Sequence, residues 1–307
     1  MKTKIFFTVI VSLSLYSISC SKESGLRSND QNIAKTKSAG QLSLSICDQF
    51  AYSDTIFYPQ ELPNDYIIHT ITPLTGTFGC FPDELKMNSL NGDIDITEGE
   101  TGLKYLVWFV PAGTKDTCKK FITISGIDFT DSIYTLKNSP GIATPVYNST
   151  RQLQPACTTG CEFDDGPDDD DGDGIADEPL PGQEVIPQGI AMDKSTGAIN
   201  LRQSLINGAL GANPAPGTFK DFLLNYRISD ASHKTLNKIA FRLYYFKTQS
   251  QIPLRLKREL AAKKAQVILN DDVSVNNFSY TVNTGLAARN GAGEVKCRPP
   301  YIIVVQK

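Results

Sequence analysis

The chain has 307 residues, 40% hydrophobic and 21% charged, with a formal net charge of −3. That length bounds two domains of moderate size, each able to bury a core. The composition excludes a disordered chain, and the charge offers no basic surface for nucleic acid.

The N-terminus, MKTKIFFTVIVSLSLYSISC, has two lysines, an apolar stretch from Ile5 to Ile18, then Cys20. A positive head, a short apolar run and small residues at the end predict a secretory signal peptide over 1–19. The run is too short to span a bilayer comfortably. Ser17-Ile18-Ser19-Cys20 resembles the lipobox of bacterial lipoproteins, although that family usually has Leu where Ser17 stands. The resemblance implies that Cys20 is lipidated and becomes the first residue of the mature protein. The partner there is the lipid membrane, held stably if the cysteine is multiply acylated. The location implied is the bacterial envelope, surface-exposed on the outer membrane. Residues 20–41 are polar and read as a flexible tether with a root-mean-square span of about 25 Å.

Seven cysteines are present. With Cys20 lipidated, Cys47, Cys80, Cys118, Cys157, Cys161 and Cys297 remain, an even set that can pair in an exported chain. Their connectivity is open. Cys157 and Cys161 flank a short turn and can close a small loop. The rival, a zinc knuckle, lacks a second Cys or His pair nearby.

The body repeats itself without a gap. Pro82, Leu85, Met87, Asn88, Gly92, Ile94 and Ile96 match Pro187, Ile190, Met192, Asp193, Gly197, Ile199 and Leu201, each pair 105 positions apart. Leu85 and Met87 alternate, as do Ile94 and Ile96, around a polar turn ending in Gly92. Each copy therefore predicts a β-hairpin with one apolar face. Behind the first hairpin come LKYLVWFV (103–110) and KKFITISGI (119–127). Behind the second come FKDFLLNYRIS (219–229) and NKIAFRLYYFK (237–247). These β-type runs with turn signals between them predict sandwiches.

The motif resembles the immunoglobulin-like or cadherin-like domains repeated in bacterial surface proteins, over about 80 residues per copy. It implies a mainly β fold of two immunoglobulin-like β-sandwich domains, at 42–150 and 183–250. An acidic linker at 151–182 joins them, and a helix-and-strand extension at 251–307 follows. Trp108 falls in a core strand, where such folds often carry a Trp. Binding or spacing roles are implied, not an activity.

Ten of the seventeen residues from Glu162 to Glu178 are acidic. Within them Asp169, Asp171, Asp173, Gly174 and Asp177 fit D-x-D-x-D-G-x-x-D. Alternate carboxylates in a tight loop suit the hard-oxygen shell of Ca2+, with the Ile175 carbonyl joining after the Gly174 turn. This resembles thrombospondin type 3 calcium loops and the first half of an EF-hand. Leu180 stands at the twelfth position, where an EF-hand has a bidentate Glu. Missing ligands would come from Glu162, Asp164, Asp165 or a neighbouring domain. Affinity of the extracellular kind would be on the order of 0.1–1 mM. The competing reading is a solvated acidic linker extended by self-repulsion. Between the repeats, a bound ion would stiffen the junction.

Residues 252–266 predict a helix starting at Pro253, with Leu254, Leu256, Leu260 and Ala261 on its apolar side. Its basic residues, Lys263 among them, either form a solvated face or contact anionic lipid or glycan. RPPYIIVVQK predicts a buried strand stapled through Cys297.

No nucleophile elbow, phosphate loop, dinucleotide fingerprint or zinc-protease motif occurs. His69 and His233 read as structural. Asp93 and Asp95 share one face of a hairpin and read as solvated rather than as a catalytic pair. The chain is expected to be no enzyme. It reads as a surface-exposed lipoprotein in adhesion, ligand binding or envelope structure, toward an unknown protein or glycan. The alternative is an accessory that binds or degrades carbohydrate, favoured if surface aromatics share a face. Of Tyr244, Tyr245 and Phe246, at least one is expected to point outward.

Overall fold

The computed structural model describes residues 45–151, 160–167, 179–269 and 296–307. A short helix α1 (Ile46–Gln49) opens the first copy under a capping box, in which Ser45 and Asp48 satisfy each other's backbone N–H. Six strands follow: β1 (Ile56–Phe57), β2 (Ile67–Ile68), β3 (Gly76–Phe81), β4 (Ile94–Asp95), β5 (Lys104–Pro111) and β6 (Cys118–Ile124). One layer is a sheet in the order β1-β6-β5-β3, with β1 parallel to β6. The facing layer pairs β2 with β4 and bonds Ile71 N–H to the Ala51 carbonyl.

Alternation explains the core. On β5, Tyr105, Val107 and Phe109 point inward and meet Phe78, Ile94, Ile96 and Leu85 from the other elements. Phe78 stacks on Phe109 at 4.6 Å between ring centroids. The Cys47–Cys118 disulfide ties α1 to β6 at the edge of this core. Trp108 lies in a core strand but on the opposite side of the sheet. Its indole packs flat against Gly79, where a Cβ would stand 2.1 Å from the ring.

The second copy runs β7 (Ile127–Phe129), β8 (Ser132–Thr135), β9 (Ile142–Ala143), β10 (Pro145–Tyr147), β11 (Glu162–Phe163) and β12 (Ile199–Asn200). Helix α2 (Leu201–Ile206), β13 (Phe219–Arg227), β14 (Leu236–Phe246), helix α3 (Leu254–Gln266) and β15 (Tyr301–Val305) complete it. Pairs β7–β10 and β9–β12 form one layer. The other is a five-stranded sheet, β11-β13-β14-β15-β8. The fold is thus mainly β, a tandem β-sandwich.

The repeat read from sequence is repeated in space, bond for bond. Asn88 N–H reaches the Asp93 carbonyl at 2.8 Å, and Asp193 N–H reaches Ala198 at 3.0 Å. Phe78 N–H bonds Ser89, and Phe163 N–H bonds Lys194, the residue 105 positions on from Ser89. Gly92 and Gly197 have φ of +78° and +69°, and a Cβ on either would stand 2.7 Å from the ring of Phe78 or Phe163. The invariant glycine is needed for that close approach as well as for the turn. The copies diverge at the end of the motif, because Leu201 starts α2 instead of extending a strand.

Two features of the second copy were not legible in the motif. First, β11 forms the very start of the acidic run and pairs with β13, so the rest of the run is an insertion between a strand and its hairpin. Phe78 and Ser89 are 11 positions apart, but Phe163 and Lys194 are 31 apart. Second, β15 slots in parallel between β14 and β8. In the first copy the counterparts of those two strands, β6 and β1, bond directly. Ile302 and Val304 enter the core of the second sandwich. Tyr301, Ile303 and Val305 face the other way and are covered by Ile252, Leu256 and Leu260 at α3. Leu254, expected on that apolar face, is exposed. The FSYTV segment, also expected to be a strand, lies outside the described residues. Leu44–Lys307 form one compact unit.

Candidate functional site

Of the proposed calcium ligands, Asp169, Asp171, Asp173 and Asp177 and the carbonyl of Ile175 lie outside the described residues, as does the lipidation candidate Cys20. The flanks of the acidic run are described, and they correct one expectation. Asp164 and Asp165 are buried and committed to the protein itself. Asp164 sits at φ +59°, and its carboxylate accepts the N–H groups of Val185 at 2.5 Å and Ile186 at 2.8 Å. Burial raises its pKa, and those two backbone bonds pull it back. Asp165 pairs with Arg227 at 2.7 Å. These two acids close the base of the insertion and are not spare ligands for an ion. Glu162 at the rim pairs with Lys234 at 3.2 Å. Among the described residues, no group of three or more His, Cys, Asp or Glu side chains is arranged to hold a metal.

A second cluster sits where the C-terminal segment enters the sheet. Arg298 donates to Asp128 at 2.6 Å and to the Thr101 carbonyl at 2.6 Å. Lys263, expected on a solvated or lipid-facing side, is 1% exposed and donates to the carbonyls of Lys296 and Cys297. Burial lowers its pKa. Asp131 accepts Tyr301 N–H at 2.7 Å, and burial pushes its carboxyl up to about 7. These charges bind main-chain groups of the incoming segment, so the cluster is a structural clamp. Only the tertiary structure assembles it, from four distant parts of the chain.

A third region is an open face. The outward residues of β13 are Phe219, Asp221 and Leu223, beyond the cover of α3. Phe219 is 51% exposed. Its ring lies 5.2 Å from Tyr244, and the Arg242 guanidinium sits 4.7 Å above it. Arg242 is held in a two-bond pair with Asp221, at 2.6 and 2.7 Å. An exposed ring beside a flat, oriented ion pair can stack on an apolar ligand face while polar groups meet its edge. The sequence pointed to the wrong aromatics. Tyr244, Tyr245 and Phe246 are all buried, because both sides of β14 are covered at that end. The signal for Phe219 was the cross-strand register, which a single strand does not display.

The remaining candidates have ordinary roles. His69 bonds Asp93 at 2.7 Å on the surface, and His233 is an exposed turn residue with φ +55°. Asp95, expected to be solvated, is buried against Lys86 and accepts the Glu98 N–H.

The fold defines the chain as a tandem β-sandwich protein. No family model matches it, and no curated protein matches it. Among solved structures it is similar to human protocadherin-24 EC1-2, at 11% identity and TM-score 0.22, covering 64% of this chain and 95% of that one. A second crystal form of that fragment gives 10% identity and TM-score 0.19, covering 64% and 96%. Drosophila OTK extracellular domains 3-5 give 10% identity and TM-score 0.17, covering 64% and 61%. The assignment of a sandwich rests on the sheets described above. The Cys47–Cys118 disulfide suggests an exported protein, since such bonds persist in oxidising compartments. Among the described residues, no helix is long and apolar enough to cross a membrane.

Proposed function

We propose that the chain is a non-catalytic lipoprotein, anchored through acylated Cys20 to the bacterial outer membrane and exposed at the surface. Its tandem sandwich serves adhesion, ligand binding or envelope structure. The observation that carries this reading is the bonded joint between the two copies. Tyr226 Oη in the second copy bonds Thr101 in the first at 3.0 Å. Asp230 in the second copy takes the hydroxyl of Ser125, just past β6 of the first, at 2.9 Å. Two sandwiches bonded to each other by part-buried side chains make a stiff presenting body, which suits spacing and display.

Labelling with a fatty-acid analogue in the native host tests the anchor: signal is expected, and its persistence in Cys20→Ala would refute the assignment. Protease shaving of intact cells tests surface exposure. Calcium held by Asp169, Asp171, Asp173, Asp177 and the Ile175 carbonyl is part of the same reading, with a stiffening of the acidic run as its proposed effect. Millimolar calcium is expected to slow proteolysis near residue 170 relative to EDTA. Equal rates would remove the ion.

The second reading, a carbohydrate-binding accessory, is favoured by the Phe219–Arg242–Asp221 face. A glycan array with the soluble body, run with and without calcium, separates the two. Binding that is lost in Phe219→Ala supports the second reading, and a blank array supports the first.

A further inference from the structure

Cys47 is bonded to Cys118, and Cys161 is also disulfide-bonded. Among the described residues, Cys80 and Cys297 are the two free thiols. They lie 217 positions apart in sequence and share one core. Cys297 belongs to the apolar cluster of the first sandwich, and Cys80 packs against the same cluster.

The two also bond to adjacent residues, Glu84 and Leu85. The Cys80 thiol donates to the Leu85 carbonyl at 3.6 Å. Cys297 N–H donates to the Glu84 carboxylate at 2.7 Å. Cys80 sits two residues after Phe78 on β3, so alternation turns its sulfur into the core. The other carboxylate oxygen of Glu84 is buried there without a hydrogen-bond partner. The chain around Cys297 is fixed from two further sides, by Lys263 on its carbonyl and by the Arg298 pair with Asp128. Four residues later it becomes β15, the strand inserted into the second sheet.

We propose that Cys80 and Cys297 form a disulfide that latches the start of the inserted C-terminal strand onto the first sandwich. The protein already carries oxidised cysteines, so it folds where a disulfide donor is present. The oxidant is a protein or small-molecule disulfide. The thiolate of Cys297 attacks it, forming a mixed disulfide and releasing one thiolate of the oxidant. The thiolate of Cys80 then attacks the Cys297 sulfur and releases the second. Two thiols lose two protons and two electrons, and the oxidant disulfide becomes two thiols. The weak S–H bond to Leu85 is lost in exchange for the S–S bond. In the folded protein burial pushes the Cys80 thiol up to about 12. The exchange therefore belongs to the stage when the C-terminal segment is still docking, and the finished bond is shielded from reductant.

The latch makes the two sandwiches one covalent unit at the point where charged clamps already gather. It is independent of any ligand proposed above.

The test is peptide mapping of the full chain exported into an oxidising compartment, with thiols blocked by N-ethylmaleimide under denaturing, non-reducing conditions. The expected result is one linked species joining the Cys80 and Cys297 peptides, with no label on either. Label on both, or Cys297 joined to a different cysteine, overturns the proposal. A second measurement compares Tm for Cys80→Ser, Cys297→Ser and the double variant. A shared bond predicts that the double variant loses no more than the larger single loss. Additive losses would mean two separate packing roles and would equally overturn it.

Discussion

The two sandwiches share a hairpin but complete their sheets differently. In the first, β1 bonds directly to β6. In the second, the corresponding strands β8 and β14 are held apart by β15, which bonds both in parallel. The second copy also carries the acidic insertion between β11 and its hairpin. One copy is therefore closed by a pairing 67 positions apart, Ile56 with Thr123, whereas in the other Ile302 pairs with Ser132, 170 positions away. That longer pairing, between β8 and β15, costs more loop-closure entropy before its contacts form. The difference teaches that duplication preserved the hairpin, where a glycine and an aromatic ring fit one way. The sheet edge was left open to elaboration.

Four measurements would break or sharpen that contrast. The largest effect is expected from Ile303→Ala, a fully buried residue in the inserted strand, which should cost about 2–5 kcal/mol. Ile56→Ala on β1 is only partly buried and should cost less, about 1–2 kcal/mol. Urea unfolding of both variants checks this, and equal costs would deny β15 its special place.

Next come the matched glycines. Gly92→Ala and Gly197→Ala each force a Cβ toward a ring at a positive φ. Each should lose about 1–3 kcal/mol of stability. Similar losses in thermal melts are expected, and a large disparity would undo the equivalence of the hairpins.

The joint is the third target. Tyr226→Phe removes the acceptor for Ile127 N–H and the bond to Thr101. The buried amide is left unpaired, at a cost of about 1–3 kcal/mol. Tyr105→Phe, confined to the first copy, frees only the Glu100 carbonyl. It should cost about 0.5–1.5 kcal/mol.

The fourth measurement is a pH dependence at the start of β15. Burial raises the Asp131 carboxyl to about 7 from 3.8. The folded state therefore holds that proton more tightly than the unfolded chain does. The associated stability is fully present below about pH 4 and is lost as pH rises through about 7. That value is already the balance of burial and Asp128, which raise it, against the Tyr301 N–H, Lys263 and Arg298, which favour the charged form. Subtracting the Asp131→Asn Tm profile from the wild-type profile should give a curve that falls between pH 4 and 7. A flat difference would assign the dependence to other groups.

How much could be read in advance follows from where each signal lies. The hairpins were legible because Leu85, Met87, Ile94 and Ile96 alternate around Gly92, and their counterparts do the same. The long strands were legible through β-branched and aromatic runs. Helix α3 was legible from its formers and from Pro253 at its N-terminus. The role of Lys263 was not, because a basic residue on a helix is ordinarily solvated. Here it turns inward to reach two carbonyls that only the docked C-terminal segment supplies. Asp164 and Asp165 looked like part of one acidic run. Their partners, Val185, Ile186 and Arg227, lie 21, 22 and 62 positions away.

The sequence by itself determined the β class, the duplication and the glycine turn of each hairpin, because those depend on alternation and local backbone freedom. The tertiary structure alone decided that β15 parts β8 from β14, that the acidic run is an insertion with a pinned base, and that Phe219 is left exposed while Tyr244, Tyr245 and Phe246 are buried. Each of these depends on which distant strands become neighbours. Strand pairing is a long-range choice with no local period to announce it.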